Sequence, residues 1–137
     1  MERENVKIVS LNETFFNESH KPYFKNYFIY RIDRTDGSRG GGVALLIHKT
    51  IQHKKLSLPK TKTIECISIE IIINNRPIVI TSAYSPRYTP DFAYDITELT
   101  SSRKEYIIFG DLNAKHPAWN CQINNTAGNV LNNLQQT

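Results

Sequence analysis

The sequence predicts a layered fold of the α+β or α/β class. Three observations carry that expectation. Apolar residues in the first two-thirds of the chain fall in short runs, the clearest of them alternating with a period of two, as in half-buried strands. Only two stretches, both late, carry the three-to-four-residue spacing of an amphipathic helix. The resulting order is several strands, a helix, a strand and the start of another helix, which suits helices packed on sheets. At 137 residues, 39% hydrophobic and 22% charged, the chain has ordinary globular usage and room for one core. Residues 1–137 therefore read as a single domain without linker or repeat.

The elements follow in order. Val6 to Leu11 is a short buried strand that stops at Asn12-Glu13-Thr14. Tyr27 to Ile32 alternates aromatic and aliphatic residues and is a second. Thr35-Asp36-Gly37-Ser38 is a turn signal, and Gly40-Gly41-Gly42 opens the strand Val43 to Ile47. Ile67, Ile69, Ile71 and Ile73 alternate with other residues, and Asn74-Asn75 tolerates the positive φ of a tight hairpin turn. Ile78 to Ala83 is the returning strand, with Pro77 at its start. Pro90 to Ser101 reads as a helix with Phe92, Ile96 and Leu99 on one face and Pro90 in its first turn. Tyr106 to Phe109 is another buried strand, ending at Gly110-Asp111. Ala127 to Gln136 begins a second helix, with Val130, Leu131 and Leu134 on one side.

Composition excludes several classes. The longest aliphatic runs are far short of the ~20 residues that span a bilayer, so no membrane association is expected. The start lacks a signal-peptide core, and Cys66 and Cys121 lie far apart without ligand spacing. An intracellular protein, nuclear or cytoplasmic and not secreted, is the expectation. Net charge is +4, but residues 20–62 hold ten Lys or Arg and two acids, so that this segment is +8 and the remainder −4. Such asymmetry suits a polyanionic partner such as nucleic acid, although a solvated lysine-rich face has the same composition.

Two apolar strands end in acids, Glu13 after the first and Asp111 after the last. A carboxylate just past a buried strand is placed rigidly near solvent. Hard divalent cations want one or two such groups, with other positions left for water and phosphate oxygen. Asn113, two residues after Asp111, points to the same side if the chain stays extended. Ordinary turn and cap roles for Asp and Asn are the alternative at each position.

Gly110-Asp111-Leu112-Asn113-Ala114-Lys115-His116, with Trp119 downstream, resembles the G-D-(F/L)-N-A signature of the endonuclease/exonuclease/phosphatase superfamily. It is most similar to the endonuclease domain of jockey-type non-LTR retrotransposon reverse transcriptases. Leu11-Asn12-Glu13-Thr14 resembles the family's (S/N)-E-T, Arg39-Gly40-Gly41-Gly42-Val43-Ala44 its R-G-G-G-V-A strand, and Ser82-Ala83-Tyr84-Ser85-Pro86 its A-Y-x-P motif. The four motifs occur in the family's order across residues 11–119.

The resemblance implies a DNase I-like fold, a two-layered β-sandwich flanked by helices, present here in part. It implies DNA as partner, Mg²⁺ or Mn²⁺ as cofactor and phosphodiester hydrolysis as activity. Glu13 would ligate the metal, Asp111 would orient the attacking water, Asn113 would hold that water or the phosphate, and Tyr84 would contact the phosphate or leaving oxygen. Arg39, Lys115, His116 and Trp119 would contact nucleic acid, with packing as the alternative role for Trp119. The family pattern also has an earlier asparagine-bearing strand and a later Ser-Asp-His motif, neither of which occurs in these residues. The expectation is therefore an incomplete domain with little turnover of its own. A non-catalytic nucleic-acid-binding remnant, or another phosphoesterase such as a phospholipid or inositol-phosphate phosphatase, are the alternatives.

Overall fold

The computed structural model describes residues 5–57, 60–101 and 104–136. Among the described residues, seven strands form two sheets: β1 (Ile8–Asn12), β2 (Tyr27–Ile32) and β3 (Val43–His48) in one, and β4 (His53–Lys55), β5 (Glu65–Ile73), β6 (Arg76–Tyr84) and β7 (Glu105–Asp111) in the other. The orders are β1-β3-β2 and β4-β5-β6-β7. All pairings are antiparallel except β6 with β7, which is parallel. Helix α1 (Phe92–Thr100) supplies the crossover that a parallel pair requires, and α2 (Thr126–Gln135) follows a 3₁₀ turn at Pro117–Trp119. No described helix is long and apolar enough to cross a membrane.

Period-two alternation assigns the faces. Val43, Leu45 and Ile47 of β3 meet Ile67, Ile69 and Ile71 of β5 and Ile80 of β6 between the sheets, with Tyr84 at one end of this core. The opposite face of the four-stranded sheet, with Cys66 and Ala83, is covered by Phe92, Ile96 and Leu99 of α1 and Ala127 of α2. The three predicted residues of α1 thus form its buried stripe. Asn74 and Asn75 have φ of 50° and 62°, as a tight hairpin turn needs.

Several boundaries differ from the expectation, each for a physical reason. Pro77 is the second residue of β6 and lies opposite Ile72, near the hairpin turn. Pro90 precedes α1 instead of lying in its first turn, because Thr89 accepts the Phe92 N–H at 3.0 Å in a turn of its own. Asp111 is the last residue of β7, not a loop residue beyond it, since β7 stays in register with β6 through the pair Tyr84 and Asp111.

Candidate functional site

Three strand ends converge on one rim of the sandwich. Cross-strand register puts Tyr84 of β6 between Glu65 of β5 and Asp111 of β7. The other sheet reaches this rim through β1. The Asn12 side chain donates to the Ala83 carbonyl at 3.0 Å, and Ser10 and Ser82 share a hydroxyl–hydroxyl hydrogen bond. Glu13 follows with φ of 52°, a left-handed turn that sends the chain on toward Gly42 and Gly41, whose carbonyls accept the N–H groups of Thr14 and Phe15. Across the gap between sheets, the Tyr84 hydroxyl donates to the Glu13 carboxylate.

Tyr84 is held protonated. Burial, then its hydrogen bond to Glu13 and that carboxylate's charge, push the hydroxyl up to about 12; Asp111 adds to the rise and Arg34 opposes it. Glu65 is tied down separately, accepting from Arg34 Nε at 2.6 Å and from the Gly42 N–H at 2.7 Å. This pair is partly buried, and it depends on Gly41: a Cβ there would lie 2.3 Å from the Arg34 guanidinium.

The segment after β7 is braced by amides. Asp111 Oδ1 accepts the Asn113 N–H at 2.8 Å, and Ser85 donates its N–H to the Asp111 carbonyl at 2.8 Å. Asn113 is not extended. Its φ is 48°, and its side-chain NH₂ donates to the Ser85 carbonyl at 2.8 Å. It shares the rim with Asp111 through a left-handed turn, which only short polar residues and glycine adopt cheaply. Asn125 holds the far side, donating to the Asn113 carbonyl at 2.8 Å and accepting from the N–H groups of Lys115 and Gly128 as it caps α2.

Glu13, Tyr84, Asp111 and Asn113 thus lie together on one rim. Lys115 and Trp119 line a shallow depression of about 400 Å³ with Asp111 and Asn113. His116 packs against Trp119 with the rings tilted by 55° and their centroids 5.5 Å apart, and its Nδ1 accepts the Ala118 N–H at 3.1 Å. Arg39 is exposed on the loop before β3. Sequence reasoning missed Glu65, Arg34 and Asn125. Asn125 carried a legible signal, an N-cap amide just before an apolar helical pattern. Glu65 and Arg34 carried none, because their roles arise from pairing across the sheets.

The donors on this rim are hard oxygens, chiefly the Glu13 and Asp111 carboxylates and the Asn113 side-chain amide, since the third carboxylate, Glu65, is committed to Arg34 and the Gly42 N–H. Among the described residues, no group of three or more His, Cys, Asp or Glu gathers to hold a metal. That donor chemistry fits Mg²⁺, which takes one or two carboxylates and fills its remaining positions with water and phosphate oxygen.

A model of the endonuclease/exonuclease/phosphatase family matches residues 1–136. The chain is 28% identical over 137 residues to a probable RNA-directed DNA polymerase from transposon X-element of Drosophila melanogaster, covering 96% of this chain and 15% of that protein. It is 22% identical over 128 residues to the RNA-directed DNA polymerase from mobile element jockey of Drosophila funebris, covering 93% of this chain and 14% of that protein. The chain spans only these small shares of the relatives' lengths. Among solved structures, humanized D. rerio TDP2 superposes with a TM-score of 0.55 at 12% identity, over 85% of this chain and 56% of that one. This likeness shows a DNase I-like fold.

Proposed function

Because the chain belongs to the endonuclease/exonuclease/phosphatase family, we propose that it is a divalent-metal-dependent phosphodiesterase domain acting on DNA. The observation that carries this reading is the meeting of Glu13, Tyr84, Asp111 and Asn113 from separate strand ends on one rim. The kinship with RNA-directed DNA polymerases of mobile elements supports DNA as substrate over a phospholipid or an inositol phosphate.

Glu13 would hold the metal, with Asp111 beside it. When bound, Mg²⁺ or Mn²⁺ supplies charge neutralisation at the phosphate. The chain's own residues do the rest. Tyr84 stays protonated throughout the neutral range and spends its single O–H on Glu13, orienting that carboxylate at the rim. The Asn113 NH₂ is anchored on Ser85, which leaves its Oδ1 to accept from the attacking water. Asp111, oriented by the Asn113 N–H, aligns that water and takes its proton. Lys115, with the His116–Trp119 ring pair, flanks the rim for backbone contact, and Arg39 reaches the same strand from the β2–β3 loop.

One observation favours a slower, binding-dominated version of this reading. Three histidines are engaged elsewhere, His20 with Asn17, His48 with Thr50 and His53 with Tyr30, while His116, flanking the rim, spends its Nδ1 on the Ala118 N–H. Apart from His116, no imidazole lies at the rim to trade a proton with the leaving oxygen, help worth roughly 10²–10⁴ in rate. Plasmid nicking by the 137-residue chain, with Mg²⁺ or Mn²⁺, tests the proposal. Slow, metal-dependent nicking is expected, abolished by Glu13→Gln and by Asp111→Asn while DNA binding persists. DNA binding without nicking at any metal concentration would establish the non-catalytic alternative. Nicking that survives both substitutions would overturn the assignment of these residues.

A further inference from the structure

Glu13 is an inserted residue. β1 ends with Asn12 opposite Val43, and one further step of that register would put Glu13 opposite Gly42. The chain skips instead: the Gly42 carbonyl accepts the Thr14 N–H at 3.3 Å, and the Gly41 carbonyl accepts that of Phe15 at 3.1 Å. An extra residue in one of two paired chains, with a left-handed φ, is a β-bulge, which re-aims the side chain it carries. A glutamate disfavours its φ of 52°, so the chain opposite must hold the turn. That chain has little stiffness of its own. Gly40, Gly41 and Gly42 have φ of 91°, 79° and 88°, and glycine leaves such conformations as readily as it enters them.

The stiffness comes from the other sheet. Glu65, the first residue of β5, accepts the Gly42 N–H on Oε2 at 2.7 Å and Arg34 Nε on Oε1 at 2.6 Å. Arg34 also covers Gly41, where a Cβ would lie 2.3 Å from its guanidinium, and a Cβ on Gly42 would lie 2.6 Å from Thr14 Oγ1. The glycines are thus enclosed between Arg34 and Thr14, with the Glu65 carboxylate as their anchor. Glu65 is in register with Tyr84, whose hydroxyl donates to Glu13 Oε1. Neighbouring residues of β5 and β6 therefore hold Glu13 from two sides, Tyr84 by its carboxylate and Glu65 by its backbone through the glycines. Arg34 and Gly42 take one Glu65 oxygen each, so Glu65 acts on the rim without being a ligand in it.

We propose that Glu65, aimed by Arg34, is a positioning residue that sets the place of the metal-bearing carboxylate, by anchoring the glycine turn on which the Glu13 bulge rests. This role rests on the reading of Glu13 as the metal ligand. The link runs from the Arg34 guanidinium to Glu65 Oε1, from Oε2 to the Gly42 N–H, and from the Gly42 carbonyl to the Thr14 N–H, one residue past Glu13. A glutamine in place of Glu65 has one acceptor oxygen for these two donors. A lysine in place of Arg34 keeps the charge but lacks the planar group that both holds Glu65 and covers Gly41. Removing an outer partner of a metal ligand typically lowers metal affinity about 10–100-fold.

Mn²⁺ binding to the 137-residue chain, followed by the electron paramagnetic resonance of free Mn²⁺, tests it together with amide exchange read by NMR. Glu65→Gln, and Gly41→Ala with the carboxylate intact, each weaken Mn²⁺ binding about tenfold or more. In both, the Thr14 and Phe15 amides exchange faster by a similar factor, while the amides of the β5–β6 ladder keep their rates. Arg34→Lys gives the same pattern at smaller size, and it decides the matter if Gly41→Ala does not fold. Glu70→Gln, farther along β5 and paired with Lys104, leaves both readings at wild type. Unchanged Mn²⁺ affinity in Glu65→Gln overturns the proposal. So does weaker binding with unchanged exchange at Thr14, which would make Glu65 a ligand. Faster exchange throughout both sheets would make it a general stabiliser and also overturn the proposal. Mn²⁺ binding that survives Glu13→Gln fails at the earlier step, removing the metal reading and the positioning role together.

Discussion

Gly110 holds no ligand, yet the geometry of the rim depends on it. Its φ is +142°, and a Cβ there would lie 2.0 Å from the Ala83 carbonyl oxygen. The close approach of the two backbones brings the next residue, Asp111, level with Tyr84. Gly110→Ala must either strain this φ or push β7 away from β6. A loss of roughly 2–4 kcal/mol is expected from overpacking and backbone strain together. Urea unfolding measures it as a lower midpoint at an unchanged slope. A midpoint equal to wild type would show that β7 does not need the contact. The neighbouring Tyr84 illustrates the same dependence, because its hydroxyl is pushed up to about 12 by burial first and then by Glu13, which follows a different strand.

Among the elements, α1 does more than cover the sheet. Its Asp95 is fully buried and accepts the N–H groups of Lys62 and Thr63 at 2.8 Å each and that of Ile64 at 3.0 Å, as well as the Thr63 hydroxyl at 2.9 Å. The helix thereby fixes the loop that delivers Glu65 to the rim. Burial alone would raise the Asp95 carboxyl, but the N–H bonds from Lys62, Ile64 and Thr63 outweigh it and hold the group below its ordinary value. A carboxylate depressed by folding contributes stability that is present above its unfolded pKa of about 3.9 and is lost as pH falls through the folded value. Asp95→Asn should therefore cost about 1–3 kcal/mol at neutral pH, because it leaves buried N–H groups short of acceptors. Thermal melts should show the gap between wild type and variant narrowing below about pH 4. A gap of constant size across that range would mean the loop is held by something else.

Across the whole molecule, the two sheets are covered unequally. α1 and α2 pack on the outer face of the four-stranded sheet, but β7 pairs only with β6 among the described strands. Its Tyr106 and Ile107 are 48% and 53% exposed. An apolar edge strand is a template for pairing with another chain. Ile107→Lys should raise solubility and reduce aggregation on heating, with a change in stability within about 0.5 kcal/mol. Light scattering during a thermal ramp, beside a denaturant titration, reads both quantities. Unchanged aggregation would locate the association surface elsewhere, with the exposed Phe28 and Ile32 of β2 as the next residues to alter.

Local sequence pattern was enough to find six of the seven described strands and both helices, because the aliphatic run of β3, the alternation along β5 and the Phe92, Ile96, Leu99 stripe are written in neighbouring residues. The order of the Glu13, Tyr84 and Asp111 motifs was likewise legible. β4 was not, since His53-Lys54-Lys55 has no apolar pattern and is a strand only by its pairing with β5. Nor was the turned conformation of Asn113, which depends on a carbonyl 28 positions away. Glu13 and Tyr84 are 71 residues apart, and their contact exists only because two sheets stack with their strand ends level. Pattern along a chain reports which face of an element avoids water. Which ends share a rim is decided by register and sheet packing, and those are properties of the folded core.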